Sequence, residues 1–434
     1  MLLQVKKSHI ESGRPFLYRA PRGTSDILPQ EQSYWSFIQK KASDICELYG
    51  YQRIDTPTFE DARLFVRSIG EETDIVEKEM YSFEDKGGDL ITLRPEGTAP
   101  VCRAYVEHGM HTLPQPVKLH YIAVIFRYER PQAGRYRQHH QFGAEAIGDS
   151  DPALDAEIID MAWQLYVNLG LKGLTLSLNS IGCNTCRPSY LNSLKSYYSQ
   201  HKESLCPDCK RRLLKNTLRL LDCKNPTCLS LSEKAPRSID FLCQECAEHF
   251  GKLTKYLKLL NIPFSLSHRL VRGLDYYTKT VFEITPEGET GAQVAIGGGG
   301  RYDNLIEQLG GKPTPAVGFA TGIERLVLNL KRQDVAVPNV PTPTVFMAYL
   351  GNEAKEKAIE FISQLRNAGI SVVGTFGDRS LKAQLKQADA SKARYALIIG
   401  EDEVKSKTAV LRNMAKGEQQ TIPIDKVVSS LTKH

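Results

Sequence analysis

The segment Val117–Gly148, VKLHYIAVIFRYERPQAGRYRQHHQFGAEAIG, decides how the rest of the chain is organised. Its first half, up to Glu129, is apolar and β-branched, which is typical of a buried strand. The Pro- and Gly-bearing stretch RPQAGR then predicts a turn, and a second extended run returns from Tyr136 to Ile147. The pattern therefore predicts a long antiparallel hairpin with a large basic loop.

Polar side chains interrupt this hydrophobic hairpin on defined faces. Side chains alternate along a strand, so residues two apart share a face. On the outgoing strand one face carries Arg127 and Glu129, and on the return strand one face carries Arg137, His139, Gln141, Gly143 and Glu145. Two interpretations are open, since buried charge must be paired or used. The face is either an internal salt-bridge network beside a solvated sheet, or a cleft floor that binds an anionic group and a polar, cationic substrate.

Length and charge limit the kind of protein. The chain has 434 residues, too many for one typical domain. Its net charge of +6 divides into +7 over residues 183–260, +4 over 341–434 and −5 over the remainder. Two basic segments on an acidic body suit a protein that grips a polyanion away from its reaction centre.

The sequence also predicts the compartment. No window approaches the roughly 18 apolar residues of a transmembrane helix, and the N-terminal segment lacks the apolar core of a secretory signal. We therefore expect a cytoplasmic protein whose ten cysteines are reduced or bound to metal.

Segments next to the hairpin predict further elements. Residues 30–50 have apolar side chains at helical spacing, and Gly50 ends the run. YQRIDTPTFE predicts a strand in which Pro57 requires a sheet edge or an interface. ITLRPEGTAP predicts a strand, a turn and a helix with Thr98 as its N-cap.

Two later segments suggest ligand contacts. The run Gly297–Gly300 is expected between a strand and a helix, where backbone can approach a ligand closely. Thr321 and Glu324 have capping-box spacing at the start of a helix. Arg325 then lies in the first turn, where a cation is unfavourable unless an anion is nearby.

Eight of the ten cysteines lie in four pairs: C183-x2-C186, C206-x2-C209, C223-x4-C228 and C243-x2-C246. The first two pairs are 19 residues apart and the last two are 14 apart, which fits four-cysteine zinc sites. Because four thiolates suit one tetrahedral Zn²⁺, eight predict two structural sites, with reduced and unliganded thiols as the alternative. Spacing leaves open whether the pairs combine in sequence order or interleave. The predicted ligands are Cys183, Cys186, Cys206, Cys209, Cys223, Cys228, Cys243 and Cys246.

Five stretches resemble the signatures of one enzyme family, in that family's order: TLRPEGTAP, FRYERPQAGRYRQHHQ, RLVRGLDYYTKTVFE, GGRYDNLIEQLGG and TPAVGFATGIERL. They are similar to class II aminoacyl-tRNA synthetases, and specifically to histidyl-tRNA synthetases of the bacterial type. RGLDYY is the most specific stretch, because it resembles the histidine-recognition motif. RIDTPTFE, FRYE and GIERL resemble the general class II motifs 1, 2 and 3, and motif 1 is the dimer-interface element. The resemblance runs from about Pro21 to the C-terminus.

The resemblance implies an α+β class II catalytic core, in which helices flank a mixed and mainly antiparallel sheet. A Cys-rich insertion interrupts this core, and an α/β anticodon-binding domain follows it. The expected boundaries are an N-terminal extension at residues 1–20, the two parts of the catalytic core at 21–182 and 261–331, the insertion at 183–260, a linker at 332–344 and the anticodon-binding domain at 345–434.

The activity implied by the resemblance is that of a histidine–tRNA ligase. L-Histidine attacks the α-phosphate of ATP to give histidyl-adenylate and pyrophosphate, and the histidyl group then passes to the 3′ end of its tRNA. Such chemistry depends on positioning and charge neutralisation. The expected partners and cofactors are ATP, Mg²⁺, structural Zn²⁺, L-histidine, histidine tRNA and a second copy of the chain in a homodimer.

Residue roles follow from the same resemblance. The catalytic residues are the arginines Arg127, Arg272 and Arg325, which neutralise the α- and γ-phosphates. ATP also contacts Glu129 and His139, the latter where the family usually has an adenine-stacking Phe. The histidine pocket is Glu96, Gly97, Thr98, Arg127, Gln141, Glu145, Arg272, Tyr276 and Tyr277. The tRNA acceptor end is assigned to Arg130, Gln132, Arg135 and Arg137.

Two alternatives have other functions. The synthetase-like regulatory subunit of ATP phosphoribosyltransferase shares the fold, but it typically lacks the RGLDYY-type residues and the anticodon domain, and both are present here. A zinc-ribbon RNA-binding protein without enzymatic activity accounts for the basic Cys-rich segment, but it leaves the polar hairpin and the glycine run without a purpose.

Overall fold

The structure is a computed structural model that describes residues 18–70, 73, 75–129, 136–287, 295–377 and 379–432. The chain divides into two compact units, Met1–Pro338 and Asn339–His434. Most of the predicted N-terminal extension, up to residue 17, lies outside the described residues. Within the described residues, no helix is both long enough and apolar enough to cross a membrane.

The first unit contains ten helices in its described part. They are α1 (Gln32–Tyr49), α2 (Ala62–Ile69), α3 (Thr98–Glu107), α4 (Pro152–Asn168), α5 (Arg187–Gln200), α6 (Pro207–Lys215), α7 (Pro226–Glu233), α8 (Gln244–Leu259), α9 (Leu305–Gln308) and α10 (Ile323–Arg332). Its strands are β1 (Gln52–Arg53), β2 (Phe59–Asp61), β3 (Tyr81–Glu84), β4 (Leu90–Leu93), β5 (Val117–Phe126), β6 (Gln138–Ile147), β7 (Leu174–Ser180), β8 (Phe264–Leu266), β9 (Thr278–Pro286), β10 (Gly297–Arg301) and β11 (Ala316–Gly322).

The second unit contains helices α11 (Asn352–Asn367), α12 (Leu381–Ala390), α13 (Glu401–Ser406) and α14 (Val427–Thr432). Its strands are β12 (Val345–Tyr349), β13 (Val372–Gly374), β14 (Tyr395–Ile399), β15 (Thr408–Asn413) and β16 (Gln419–Pro423). They form one sheet in the order β13-β12-β14-β15-β16, parallel from β13 to β14 and antiparallel beyond. This sheet and its helices confirm the predicted C-terminal α/β domain.

An eight-stranded sheet, in the order β1-β5-β6-β11-β10-β9-β7-β8, forms the centre of the first unit. Only its outermost pairs, β1 with β5 and β7 with β8, are parallel. A separate antiparallel sheet has the order β2-β4-β3. Helices α1, α4 and α10 pack on the large sheet through a core that includes Ile38, Leu165 and Leu326. The predicted mixed, mainly antiparallel sheet flanked by helices is therefore confirmed.

The predicted hairpin is formed by β5 and β6, which pair in register from Val117 with Ile147 to Phe126 with Gln138. Along β5 every second side chain is buried, as the apolar alternation requires. The ring of Tyr121 occupies the space that side chains on Gly97 and Gly143 would fill, because a Cβ on either would lie 2.3 Å from it. These two glycines therefore let Tyr121 reach the interior of the fold.

The predicted position of Gly297–Gly300 between a strand and a helix was wrong, because the four glycines themselves form most of strand β10, although Gly297 and Gly298 do line the cavity described below. This strand lies between β9 and β11, where the space is too narrow for side chains. A Cβ on Gly299 would lie 2.0 Å from the carbonyl oxygen of Gly318, and one on Gly297 would lie 1.9 Å from the hydroxyl of Tyr166. A chain that must pass this close to its neighbours needs glycine.

The sequence also predicted a helix that ends at Gly50 and a single strand after it, and only the first of these predictions is confirmed. The first helix ends as predicted, at Gly50 with φ of +74°. YQRIDTPTFE is not one strand: it supplies β1 to the edge of the large sheet and β2 to the small one. Pro57 lies between them and is excluded from both ladders, as its missing N–H requires.

Candidate active site

A cavity of about 900 Å³ opens between the hairpin, strands β10 and β11, and the loop before β9. The predicted site residues that line it are Glu96, Thr98, Arg127, Glu129, His139, Gln141, Glu145, Arg272, Tyr276, Tyr277 and Arg325. Gly97 instead packs against the ring of Tyr121. The structure thus brings together, in one cavity, residues that are more than 200 positions apart in the sequence.

Glu145 is the most deeply buried carboxylate of the cavity, with 1% of its surface exposed. Its Oε1 accepts hydrogen bonds from the hydroxyls of Thr98 (2.7 Å) and Tyr121 (3.4 Å), and its Oε2 accepts one from Tyr302. Burial raises the pKa of Glu145 to about 8, although the hydroxyl donors oppose this rise. The group therefore holds a proton near neutral pH and can share it with a ligand.

Glu96 caps helix α3. Its carboxylate accepts the backbone N–H groups of Thr98 (2.7 Å) and Ala99 (2.8 Å), so the prediction that Thr98 is the N-cap was wrong. A glutamate two residues upstream reaches the free N–H groups of the first turn, which releases the Thr98 hydroxyl for Glu145. Burial raises the pKa of Glu96 as well.

Three arginines enter the cavity from different elements. The Nε of Arg127 donates to the carbonyl of Pro95 (2.7 Å), and Nη1 of Arg325 donates to that of Ala295 (2.6 Å). Arg272 forms an ion pair with Glu283. Burial lowers the pKa of Arg272, but the charge of Glu283 outweighs this effect and the net shift is upward. Three fixed cations in one cavity suit an anion that carries several charges.

Gln141 and Arg272 line the cavity, and Oε1 of Gln141 and Nε of Arg272 are among the buried polar atoms that lack a hydrogen-bond partner within the described part of the chain. One is an acceptor and the other a donor. Buried polar atoms are normally paired, so both are suited to contact a bound molecule.

Comparison with known proteins identifies the family. A family model described as histidyl-tRNA synthetase matches residues 23–184 and 214–326, and a model described as anticodon binding domain matches residues 344–434. The chain is 60% identical over 417 residues to the histidine–tRNA ligase of Dehalococcoides mccartyi, a match that covers 96% of this chain and 100% of that protein.

The chain belongs to the histidyl-tRNA synthetase family.

Two more distant members agree. The histidine–tRNA ligase of Pelotomaculum thermopropionicum is 52% identical over 411 residues, covering 95% of this chain and 96% of that protein. The crystal structure of apo histidyl-tRNA synthetase from S. aureus has a TM-score of 0.81 at 37% identity, covering 96% of this chain and 100% of that one.

His139 differs from the aromatic residue expected of the histidyl-tRNA synthetase family. It lines the cavity, and its pKa is lowered to about 3 by burial and by the charges of Arg127 and Arg325. The imidazole is therefore neutral at physiological pH, and it presents a flat, uncharged ring to the cavity.

Of the four hairpin residues that were predicted to contact the tRNA acceptor end, only Arg137 lies in the described part of the chain. The guanidinium of Arg137 lies 3.8 Å over the ring of Tyr128 rather than beside His139, because β6 begins only at Gln138 and the alternation does not extend to Arg137. The remaining acceptor-end residues lie outside the described residues: Arg130, Gln132 and Arg135.

The predicted capping box at α10 was wrong. Gly322 is the N-cap, and the hydroxyl of Thr321 donates to the carbonyl of Ile296 (2.6 Å). The carboxylate of Glu324 accepts the backbone N–H of His140 at 2.9 and 3.0 Å. Both polar side chains thus tie the helix start to neighbouring strands instead of to its own backbone.

Sequence reasoning missed four residues of the site: Tyr121, Tyr302, Glu283 and Glu324. Tyr121 and Tyr302 donate to Glu145, and Glu283 pairs with Arg272. Tyr121 lies inside an apolar run, and Glu283 lies on a strand whose alternation gave no sign of a charged partner. Only the tertiary contacts identify them.

The cysteines form two clusters, and the pairing is nested, so it is neither of the two expected arrangements, sequence order or interleaved. The outer cluster joins the first and last pairs, Cys183, Cys186, Cys243 and Cys246, and the inner cluster joins the middle pairs, Cys206, Cys209, Cys223 and Cys228. All sulfur atoms within a cluster lie within 4.8 Å of one another. The family model leaves residues 185–213 unmatched, so two inner ligands, Cys206 and Cys209, lie outside the matched part of the family.

The geometry of both clusters fits a tetrahedral metal. The sulfur of Cys183 lies 3.8 Å from those of Cys186 and Cys243, and the sulfurs of Cys206 and Cys223 are 3.8 Å apart. Zinc–sulfur bonds of about 2.3 Å give a tetrahedral sulfur–sulfur edge of about 3.8 Å. Burial alone would raise the pKa of the Cys183 thiol. Hydrogen bonds from the backbone N–H groups of Cys186 and Thr185 outweigh the effect of burial and lower the pKa to about 6.

Proposed function

We propose that the cavity binds L-histidine and ATP, forms histidyl-adenylate, and then transfers histidine to the 3′ end of a histidine tRNA. The reaction type was predicted from the sequence and is confirmed by histidine–tRNA ligases that match nearly the whole chain. The residue roles below are our proposal. The observation that carries them is the convergence of three arginines with two buried carboxylates, Glu96 and Glu145, in one cavity.

Histidine is recognised through both ring nitrogens. A neutral imidazole carries one donor and one acceptor. Glu145 holds one proton near neutral pH, so it shares that proton with one ring nitrogen, while Tyr277 contacts the other. A pocket that hydrogen-bonds its substrate in this way rejects analogues that lack those groups, because its own buried polar atoms would remain unpaired.

The backbone groups of the amino acid are held by the remaining polar side chains. Glu96 and the unpartnered Oε1 of Gln141 are acceptors for the α-ammonium group. The carboxylate lies against Arg127 and Arg272, whose guanidinium groups suit two oxygens at once. One carboxylate oxygen is thereby held ready to attack the α-phosphate.

Activation needs charge neutralisation more than proton transfer. The carboxylate oxygen forms a bond to the α-phosphorus, and the bond to the pyrophosphate oxygen breaks. Arg127 and Arg272 stabilise charge on the α-phosphate and Arg325 stabilises it on the γ-phosphate. Glu129 and the neutral ring of His139 contact the adenine. Glu283 and Glu324 line the cavity with carboxylate oxygens of the kind that Mg²⁺ takes, and they would hold this ion, which would supply further neutralisation of phosphate charge.

The tRNA and the partner chain are assigned to other surfaces. The hairpin loop with Arg130, Gln132, Arg135 and Arg137 contacts the acceptor end, and the second unit, which matches the anticodon-binding model, contacts the anticodon. The segment RIDTPTFE contributes to a homodimer interface, and the enzyme acts in the cytoplasm. The domain boundaries given above, with linker 332–344, are part of this proposal.

Each cysteine cluster binds one structural Zn²⁺. The donor set of four thiolates and the 3.8 Å separations both fit this metal. The insertion between residues 183 and 260 is small and basic, and metal binding supplies folding free energy that such a module lacks.

Two arginine variants test the site. Arg127→Ala and Arg325→Ala should each lower histidine-dependent ATP–pyrophosphate exchange at least about a hundredfold, because each removes a charge that the transition state needs. Arg237→Ala is the matched control, since this arginine pairs with Asp240 at the surface of the insertion. Exchange in either site variant that equals the control would contradict the assignment.

A further inference from the structure

The residues before β9 form an irregular loop that carries three proposed substrate contacts. We call residues 272–277 the histidine loop, which contains Arg272, Tyr276 and Tyr277. None of these residues belongs to a helix or strand, so no ladder of backbone hydrogen bonds fixes their position. The catalytic core supplies one backbone contact, from the N–H of Asp275 to the carbonyl of Ile69 (3.1 Å). The ion pair of Arg272 with Glu283 and the ring contact of Tyr276 with Tyr302 add support from the core. Further support comes from the insertion.

The inner cysteine cluster supports the middle of the histidine loop. Between its two cysteine pairs run α6 and a short helical turn, Thr217–Leu220. Just before that turn, Nδ2 of Asn216 donates to the carboxylate of Asp275 (2.9 Å). Within the turn, Nη1 of Arg219 lies 3.1 Å from where a Cβ on Gly273 would be, so its guanidinium packs on the loop backbone.

Part of the inner cluster also lines the cavity in which the proposed substrates bind. Cys206 and Cys223 line the cavity, together with Arg219 and Lys224. The inner metal site is therefore part of the cavity wall, and the segment that it folds is the one that contacts the histidine loop.

The outer cluster holds the end of the same loop. Arg187 follows Cys186 directly, and its Nη2 donates to the carbonyls of Tyr277 (2.6 Å) and Gly182 (3.1 Å). Glu245 lies between Cys243 and Cys246, and it pairs with Lys279 at 2.9 Å. The backbone N–H of Lys279 also donates to Gly182 (2.8 Å).

We propose that the two metal sites of the insertion are positioning sites for histidine activation. Each one fixes a different part of the histidine loop, and together they set where Arg272, Tyr276 and Tyr277 meet the amino acid. This inference rests on the proposed function and adds a role to metals that otherwise only fold the insertion. Asn216 and Arg187 are the positioning residues through which the inner and outer sites act.

The first test uses variants that keep all eight cysteines. Asn216→Ala and Arg187→Ala should each raise the KM for histidine about two- to tenfold in tRNA-free ATP–pyrophosphate exchange, as expected for one lost hydrogen-bonded contact. The KM for ATP should change less, and zinc should stay at two per chain. The thermal midpoint of Asn216→Ala should match that of the Arg237→Ala control, whereas Arg187→Ala should lower it, because the carbonyls of Tyr277 and Gly182 lose their donor. Arg187→Lys should restore part of the effect, because it keeps one cationic donor.

The second test removes one metal at a time. Cys206→Ser with Cys209→Ser should lower bound zinc to one per chain and raise the histidine KM. If this variant does not fold, the Asn216 and Arg187 variants decide the question.

A histidine KM unchanged in both Asn216→Ala and Arg187→Ala, with normal exchange in the unsubstituted chain, would overturn this inference alone. Absence of any histidine-dependent exchange in the unsubstituted chain would overturn the proposed function, and the inference would fall with it.

Discussion

Replacing Glu145 with Gln keeps the size of the side chain and removes the proton that it can share or release, which separates substrate recognition from folding. The carboxylate is almost fully buried, and burial raises its pKa from the usual 4.5 to about 8. Each pKa unit corresponds to about 1.4 kcal/mol, so ionising this group in the folded protein costs on the order of 5 kcal/mol more than ionising a solvent-exposed glutamate. The three hydroxyls around it can rotate to donate or accept, so a glutamine amide can be accommodated.

The sign of the pH effect follows from the raised pKa. Between pH 4.5 and about 8, Glu145 keeps its proton in the native state, whereas it has lost this proton in the unfolded state. The contribution of Glu145 to stability is therefore fully present below about 4.5 and is lost as the pH rises through about 8. The Glu145→Gln variant should lack this slope, and it should be the more stable protein at alkaline pH.

Although the Glu145→Gln variant should be more stable at alkaline pH, it should bind histidine less tightly. A buried polar group left without its hydrogen-bond partner costs about 1–3 kcal/mol, so the KM for histidine should rise about five- to a hundredfold. The assays are urea unfolding at several pH values between 5 and 9 and histidine-dependent ATP–pyrophosphate exchange. A variant whose histidine KM is unchanged, or whose stability falls with pH in parallel with the unsubstituted protein, would refute this reasoning.

Three further predictions concern other parts of the site. Arg272→Ala should lower the exchange rate at least about a hundredfold while the protein stays folded, since its partner Glu283 is partly exposed; near-normal exchange would remove Arg272 from the catalytic residues. Gly298→Ala should impair both folding and exchange, because its Cβ would lie 2.6 Å from the carbonyl oxygen of Phe282. Gly251→Ala is the control, since this position in α8 has open space around it. Circular dichroism melts should show that the control is as stable as the unsubstituted protein or slightly more stable. Elemental analysis should find two zinc per chain; absence of zinc from folded protein with eight reactive thiols would contradict the metal sites.

The sequence predicted those parts of the fold that depend on local pattern. The alternation in β5 and the Pro- and Gly-bearing turn indicated the hairpin. In the structure β5 and β6 form this hairpin at the predicted place in the sequence. The glycine stop of α1 depends on a single left-handed residue and was equally predictable. The resemblance of short motifs then placed most of the cavity residues.

Local pattern failed where long-range contacts decide the structure. Thr98 is a residue type that favours the N-cap, but it is the first residue of the helix and Gly97 is the N-cap. The carboxylate of Glu96 accepts the backbone N–H of Thr98, while the Thr98 hydroxyl donates to Glu145. The glycine run resembled a loop because strand propensity disfavours glycine, while the narrow space between β9 and β11 requires it. The nested pairing of the cysteines likewise depends on how the insertion folds back, and the sequence-based prediction, which considered only sequence order and interleaving, missed it.

Amino-acid-dependent ATP–pyrophosphate exchange, measured without tRNA for all twenty amino acids, tests the proposed substrate site most directly. We predict exchange with histidine alone, because only an imidazole satisfies Glu145 and Tyr277 together in the cavity. Folded protein that shows no exchange with any amino acid, or exchanges equally well with one that lacks an imidazole, would contradict this prediction.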